Sequence, residues 1–154
     1  MIINIINFRV DLDTLEIRAR VQFPHLHFVG KYSVDGQILV VPLKGKGTMT
    51  SDAVKANAEL VLKAKTEKRG GVEYIKFTSL QTNISVKDYH IRLEGLFNGD
   101  KVLGDATNEA INQNRGDFMR AAKPYVEDTV SKLFLGMANK IVDGIPFSDV
   151  FPAP

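Results

Sequence analysis

His25 and His27 stand two residues apart, so on a strand they share one face at a spacing that metal sites use. No third ligand accompanies them and Pro24 adjoins them, so they read as a surface pair. Tyr32 places an amphipathic ring on an otherwise apolar strand. Its hydroxyl either meets water at a sheet edge or bonds the one polar group of a lipophilic ligand, since a mostly apolar pocket needs a few orienting groups. Asp100, Asp105, Glu109 and Asp117 gather toward a helix start, where negative charge suits the dipole, and they read as stabilisers and not as catalytic carboxylates. Lys63, Lys65, Lys68 and Arg69 surround a hairpin tip, as a solvated turn or as a contact for an anionic surface. There is no Gly-rich phosphate loop, no G-x-S-x-G elbow and no H-E-x-x-H. Without Cys, neither a thiolate metal site nor a Cys nucleophile can form. The residues therefore point away from an enzyme and give no reason to expect a metal or a cofactor.

The chain has 154 residues, enough to bury the core of one domain. With 44% hydrophobic and 25% charged residues it has the composition of an ordinary folded protein. A net charge of +2 is too small to argue for nucleic acid, and no nucleic-acid motif occurs. No apolar run approaches the roughly 18 residues of a spanning helix, so stable membrane insertion is not expected. The start, Met1 to Asn7, has no basic region before its short apolar run, and it reads as a strand and not as a signal peptide.

Several elements must position these groups. Leu15, Ile17, Ala19, Val21 and Phe23 alternate with Glu16, Arg18, Arg20 and Gln22, as in a half-buried antiparallel strand. Pro24 suggests a bulge or an edge, and Asp35-Gly36 predicts a hairpin turn after Leu26, Phe28 and Tyr32. Residues 37–43 form the return strand, and Gly45-Lys46-Gly47 implies a bend. Val54, Ala56, Ala58, Leu60 and Leu62 face inward on the next run. The chain turns near Lys68-Arg69-Gly70-Gly71 and returns along Val72 to Leu80. A last strand from Ile84 to Leu93 switches its inward parity near Lys87-Asp88.

A helical period then runs from about 101 to 142, in the stripe Leu103, Ala106, Ala110, Asn114, Phe118, Ala121, Tyr125, Thr129, Leu133, Met137 and Ile141. About 40 residues at ~1.5 Å each span roughly 60 Å, more than the roughly 40 Å diameter expected of a compact chain this long. A single helix is expected, bent at Pro124, with its apolar stripe against the concave face of a sheet. Gly144 and Pro146 stop it, and the apolar tail from Phe147 packs back. The fold class is α+β, strands first and helix last, in a single domain over 1–154.

The segment from Phe23 to Leu39 resembles the takeout and juvenile hormone-binding protein family of insects. So do Val41 to Gly47, Leu96 to Asp105, Ala138 to Ile141 and Pro146 to Pro152, in family order along nearly the whole chain. The resemblance implies a curved antiparallel sheet wrapped around one long C-terminal helix, a super-roll. It implies a secreted, extracellular haemolymph carrier without catalytic activity, binding a lipophilic small molecule in an apolar tunnel between sheet and helix. Against the family pattern the N-terminal third, with its signal peptide and cysteine pair, is expected to be missing. On the sheet the implied tunnel wall comprises Phe23, Phe28, Tyr32, Ile38, Val40, Leu60 and Leu62. On the helix it comprises Phe118, Tyr125, Leu133 and Phe134, which by their pattern alone read as plain core.

Two other classes stand beside the carrier. In one, the first strand from Ile2 to Val10 lacks a neighbour, and Ile2, Ile3, Ile5 and Ile6 drive self-association through its edge without any ligand. In the other, the helix lies on a membrane surface, but its polar face mixes acidic and basic residues and lacks the basic bias of surface-seeking helices.

Overall fold

The computed structural model of the chain describes residues 4–154. It shows four strands, β1 (Asn4–Asp11), β2 (Glu16–Ile38), β3 (Val41–Arg69) and β4 (Val72–Leu93), hydrogen-bonded in chain order in one sheet. A 3-10 turn at Phe97–Gly99 leads into α1 (Lys101–Gln113), α2 (Arg115–Val142) and the short α3 (Phe147–Val150). The architecture is the expected α+β one, a curled antiparallel sheet followed by a long C-terminal helix. Ile2 and Ile3, on which the expected edge association partly rested, lie outside the described residues.

The strands are longer than the sequence runs suggest, because bends interrupt their alternation without ending them. Gly45 sits at φ 151°, and a side chain on Gly47 would lie 2.1 Å from the Glu94 carbonyl oxygen, so both glycines admit the close crossing of β3 and the end of β4. Lys55, at φ 51°, switches the parity of β3. Before it Ala53 packs inward; after it Ala56 is buried, and Val54, expected inward, is exposed. The parity change in β4 falls where expected, with Ile84 and Val86 half-buried before it and Tyr89 and Leu93 buried after it. Gly70 and Gly71, at φ 59° and 81°, make the turn between β3 and β4.

The hairpin expected at Asp35-Gly36 turns instead at Leu39-Val40, with Leu39 at φ 55°. Continuing β2 to Ile38 keeps Tyr32, Val34 and Ile38 against the same core that Val41 and Leu43 join from the return strand. That burial outweighs the roughly 1–2 kcal/mol of a left-handed leucine.

The helix breaks at Asn114 and not at Pro124. Asn114 lies at φ −113°, ψ 32°, and its side-chain Nδ2 donates to the Ala110 carbonyl at 2.9 Å, in competition with its own backbone N–H. Gly116 follows, a further weakness in helical propensity. Pro124 is carried within α2 on an exposed side, where water can serve the carbonyl that its missing N–H leaves free.

The chain divides into two compact units. The first, built from Gln22–Asn57 and Ser85–Pro124, has a core of Leu43, Tyr89, Leu93, Leu96, Ile111 and Phe118. The second, built from Ile5–Val21, Ala58–Ile84 and Tyr125–Pro154, has a core of Ile75, Phe77 and Val142. In it the tail packs back as expected, with Phe147, Val150 and Phe151 against that core and Pro146 bridged to Tyr74.

Candidate ligand-binding site

A strand at a sheet edge leaves alternate backbone groups unpaired, and β4 is such a strand. The helices supply the partners from their side chains. In the first unit Asn108 accepts the Leu93 N–H at 2.7 Å and donates to the Leu93 carbonyl at 2.9 Å. One turn on, Asn112 does the same for Ile91, at 2.9 and 2.7 Å. In the second unit Asn139 serves both groups of Phe77, at 2.8 and 3.0 Å, and Glu127 accepts the Ile84 N–H at 2.9 Å. Three carboxamides and one carboxylate thus stand where a fifth strand would stand, and they fix which helix face meets the sheet.

That face is not the expected apolar stripe. Phe118 is buried at 8% exposure, but Tyr125 and Leu133 are 75% and 60% exposed, and Leu103, Met137 and Ile141 also lie open. The sheet-facing residues are Asn108, Ile111, Phe118, Ala122, Leu135, Ala138 and Val142, of which Phe118 alone belongs to that stripe. The physical reason is the edge of β4. A buried unpaired peptide group costs about 1–3 kcal/mol, and an apolar side chain cannot relieve it.

In the first unit, Tyr32, Ile38 and Phe118 meet at one core. The Tyr32 hydroxyl donates to the Glu94 carbonyl at 2.5 Å, and burial followed by the Glu94 charge raises its pKa. Phe23 is half-buried on β2; Phe28 is exposed, and Val40, in the turn, is 86% exposed. Tyr89 donates its hydroxyl to the Arg115 carbonyl at 2.6 Å, and burial pushes its phenol up to about 12. Arg115 reaches the exposed Asp88 through Nε at 2.5 Å, and this hydrogen bond holds the Asp88 carboxyl below the usual range.

In the second unit, Leu62 packs on the core of Ile75, Phe77 and Val142, and Leu60 is half-buried. A small void of about 10 Å³ touches Val10, Leu12, Leu15, Ile17, Ile75 and Phe151, about the size of one water. Leu133, Phe134, Met137 and Ile141 form an exposed apolar patch on the same unit's part of α2. Of the eleven residues expected at a ligand, Tyr32, Ile38 and Phe118 pack in the core of the first unit, Leu62 packs in that of the second, and Phe28, Val40, Tyr125, Leu133 and Phe134 are exposed.

His25 and His27 do lie together on the surface, both turned to Asp52, with His27 Nδ1 at 2.6 Å and His25 Nε2 at 3.9 Å from Oδ1. Among the described residues no group of three His, Cys, Asp or Glu is arranged to hold a metal ion. Asp100 caps α1, accepting the Leu103 N–H at 3.0 Å, and Asp105 pairs with Arg92 at 3.4 Å. No described helix is long and apolar enough to cross a membrane. The Asn residues that close β4 escaped the sequence reading. Their signal is an amide pair four apart, Asn108 and Asn112, flanking the buried Ile111.

The sequence profile of the haemolymph juvenile hormone binding protein family matches residues 2–152. The circadian clock-controlled protein daywake of Drosophila melanogaster is 28% identical over 138 residues, which are 89% of this chain and 53% of that protein. Its Drosophila yakuba counterpart is 27% identical over 140 residues, 90% of this chain and 54% of that protein. The chain thus spans about half the length of these relatives. The crystal structure of Epiphyas postvittana Takeout 1 matches with a TM-score of 0.71 at 27% identity, covering 96% of this chain and 68% of that one. With its curled sheet, its long C-terminal helix and a profile match along almost its whole length, the chain belongs to the haemolymph juvenile hormone binding protein family.

Proposed function

We propose that this chain is a non-enzymatic carrier-type binding module for a lipophilic small molecule, a juvenile hormone-like terpenoid or a long-chain lipid. The observation that carries this reading is the family match over residues 2–152. The exposed apolar residues of α2 support it, since Leu133, Phe134, Met137 and Ile141 give a long apolar molecule a surface to cover. A chain of about ten CH₂ groups gains roughly 8 kcal/mol on burial, before the cost of association. The site acts extracellularly, in haemolymph, and affinity is micromolar or weaker because the α2 patch is open on one side.

Native mass spectrometry after delipidation and reloading with a terpenoid and a fatty acid tests this. Retention of either ligand by the wild type, reduced in Leu133→Glu, is the expected result. Leu133 is 60% exposed, so this variant should keep its fold. Failure to retain any lipophilic ligand would sink the carrier reading.

A second reading has its own observation. All eight described residues of β1 are exposed, with Ile5 at 67% and Phe8 at 63%, on an edge that no other strand covers among the described residues. Such an edge accepts a strand from a second copy of the chain. Light scattering across a concentration series distinguishes the two readings. Growth of oligomers that Ile5→Lys abolishes, with no ligand retained, favours an interaction protein.

A further inference from the structure

We propose that Arg9, Arg18 and Arg20 form a binding site for a phosphate group on the outer face of the β1–β2 hairpin. The three arginines line one open cleft of about 390 Å³ with Asn7, Ala19, Glu59, Leu60 and Val61. Strand alternation explains the grouping: Asn7 and Arg9 share a face of β1, Arg18 and Arg20 a face of β2, Glu59 and Val61 a face of β3. Residues 12–15 close the hairpin between Asp11 and Glu16. Counting back from that pair sets Arg9 across from Arg18, and Asn7 across from Arg20.

Like charges directly opposite on neighbouring strands repel, and here a third cation stands two residues away on the same face. Two of the three guanidiniums are paired directly with carboxylates, and Asp11 stands near the third without a bond to it. Glu16 takes the Arg18 Nε at 2.5 Å and Glu59 takes an Arg20 Nη at 2.7 Å. Each guanidinium carries five N–H donors, so these pairs orient the two forks and leave most of their donors available. Among the described residues Arg9 makes no ion pair or hydrogen bond, and its charge lies near enough to Asp11 to help lower that carboxyl's pKa. A phosphate group relieves the repulsion and offers several acceptor oxygens to forks that match it two by two. Arg18 and Arg20 are 60% and 54% exposed, so binding is weak and falls steeply with salt. The group can come from a free phosphate or from a phospholipid headgroup. The site does not depend on the lipophilic-ligand reading, because its three arginines are not among the residues named for that ligand, although Leu60 also lines the cleft.

The probes are inorganic phosphate and phosphatidylcholine vesicles with or without phosphatidic acid. In the ¹⁵N-labelled chain, phosphate should shift the arginine Nε–Hε signals of Arg9, Arg18 and Arg20 and leave Arg120 unmoved. Arg9→Gln should weaken binding about tenfold, and Lys132→Gln should leave it unchanged. Circular dichroism confirms that both variants keep the fold. Binding of inorganic phosphate assigns the site to a free phosphate. Binding only of phosphatidic acid vesicles, lost in Arg9→Gln, assigns it to a headgroup. Shifts spread evenly over all arginines, or binding of neither probe, or binding indifferent to Arg9→Gln, would overturn the proposal.

Discussion

Asn108 shows how much one side chain can decide. It is buried, it satisfies both peptide groups of Leu93, and it also donates to the Gly104 carbonyl one turn back at 3.0 Å. Asn108→Ala strands a buried N–H and a buried carbonyl together, which should cost about 2–4 kcal/mol. Urea unfolding measures it, with the exposed Gln113→Ala as the control expected to stay within about 0.5 kcal/mol of wild type. Equal midpoints for the two variants would mean that water replaces the amide freely. Tyr89 gives a test by pH. Its phenol is pushed up to about 12 from the ordinary 10, so the fold favours the protonated form. That contribution is whole below pH 10 and is lost as pH rises through about 12. Tyr89→Phe should lower stability by about 1 kcal/mol at neutral pH through the lost bond to Arg115. It should also flatten the alkaline fall, read from thermal melts between pH 9 and 12. An alkaline limb identical to wild type would count against this role for Tyr89.

At the scale of elements, glycines of two kinds separate cleanly. A Cβ at Gly136, inside α2, would meet nothing within 4 Å, so Gly136→Ala should stabilise by about 1 kcal/mol. At Gly47 the same atom would lie 2.1 Å from the Glu94 carbonyl oxygen, so Gly47→Ala should destabilise, because only a backbone shift can make room. Thermal melts of the two variants should move in opposite directions; movement in the same direction would mean that the crossing of β3 and β4 is not the constraint. The same elements show what a sequence can disclose. Alternation in β2 and the parity change in β4 were readable because side chains facing a core obey a period of two. The turn at Gly70-Gly71 was readable because both positions need a positive φ. The helix face was not readable. A hydrophobicity pattern assigns Asn108, Asn112 and Asn139 to water, and only the unpaired edge of β4 reveals why they face inward. Nor could the turn at Leu39-Val40 be found, since Asp35-Gly36 is locally the better turn and the burial of Ile38 opposes it. Of the residues expected at a ligand, Tyr32, Ile38 and Phe118 share one core, while Tyr125 and Leu133 stand open.

At the scale of the molecule, β2, β3, β4 and α2 each pass from one compact unit into the other. Four shared elements are the ground for proposing that residues 1–154 unfold as one cooperative domain. The helix side chains bonded to β4 turn this into something that can be timed. A peptide proton bonded to a helix side chain can exchange with deuterated solvent only after that helix lets go. The protons of Ile91 and Leu93 therefore clock the release of α1, and those of Phe77 and Ile84 clock the release of α2. For one cooperative domain, all four should report the same opening free energy and lose protection together as denaturant is added. A split into two pairs would mean that each helix can leave its half of the strand alone. The bonds that close β4 are thus four clocks set along one strand, and comparing them measures whether the two units keep common time.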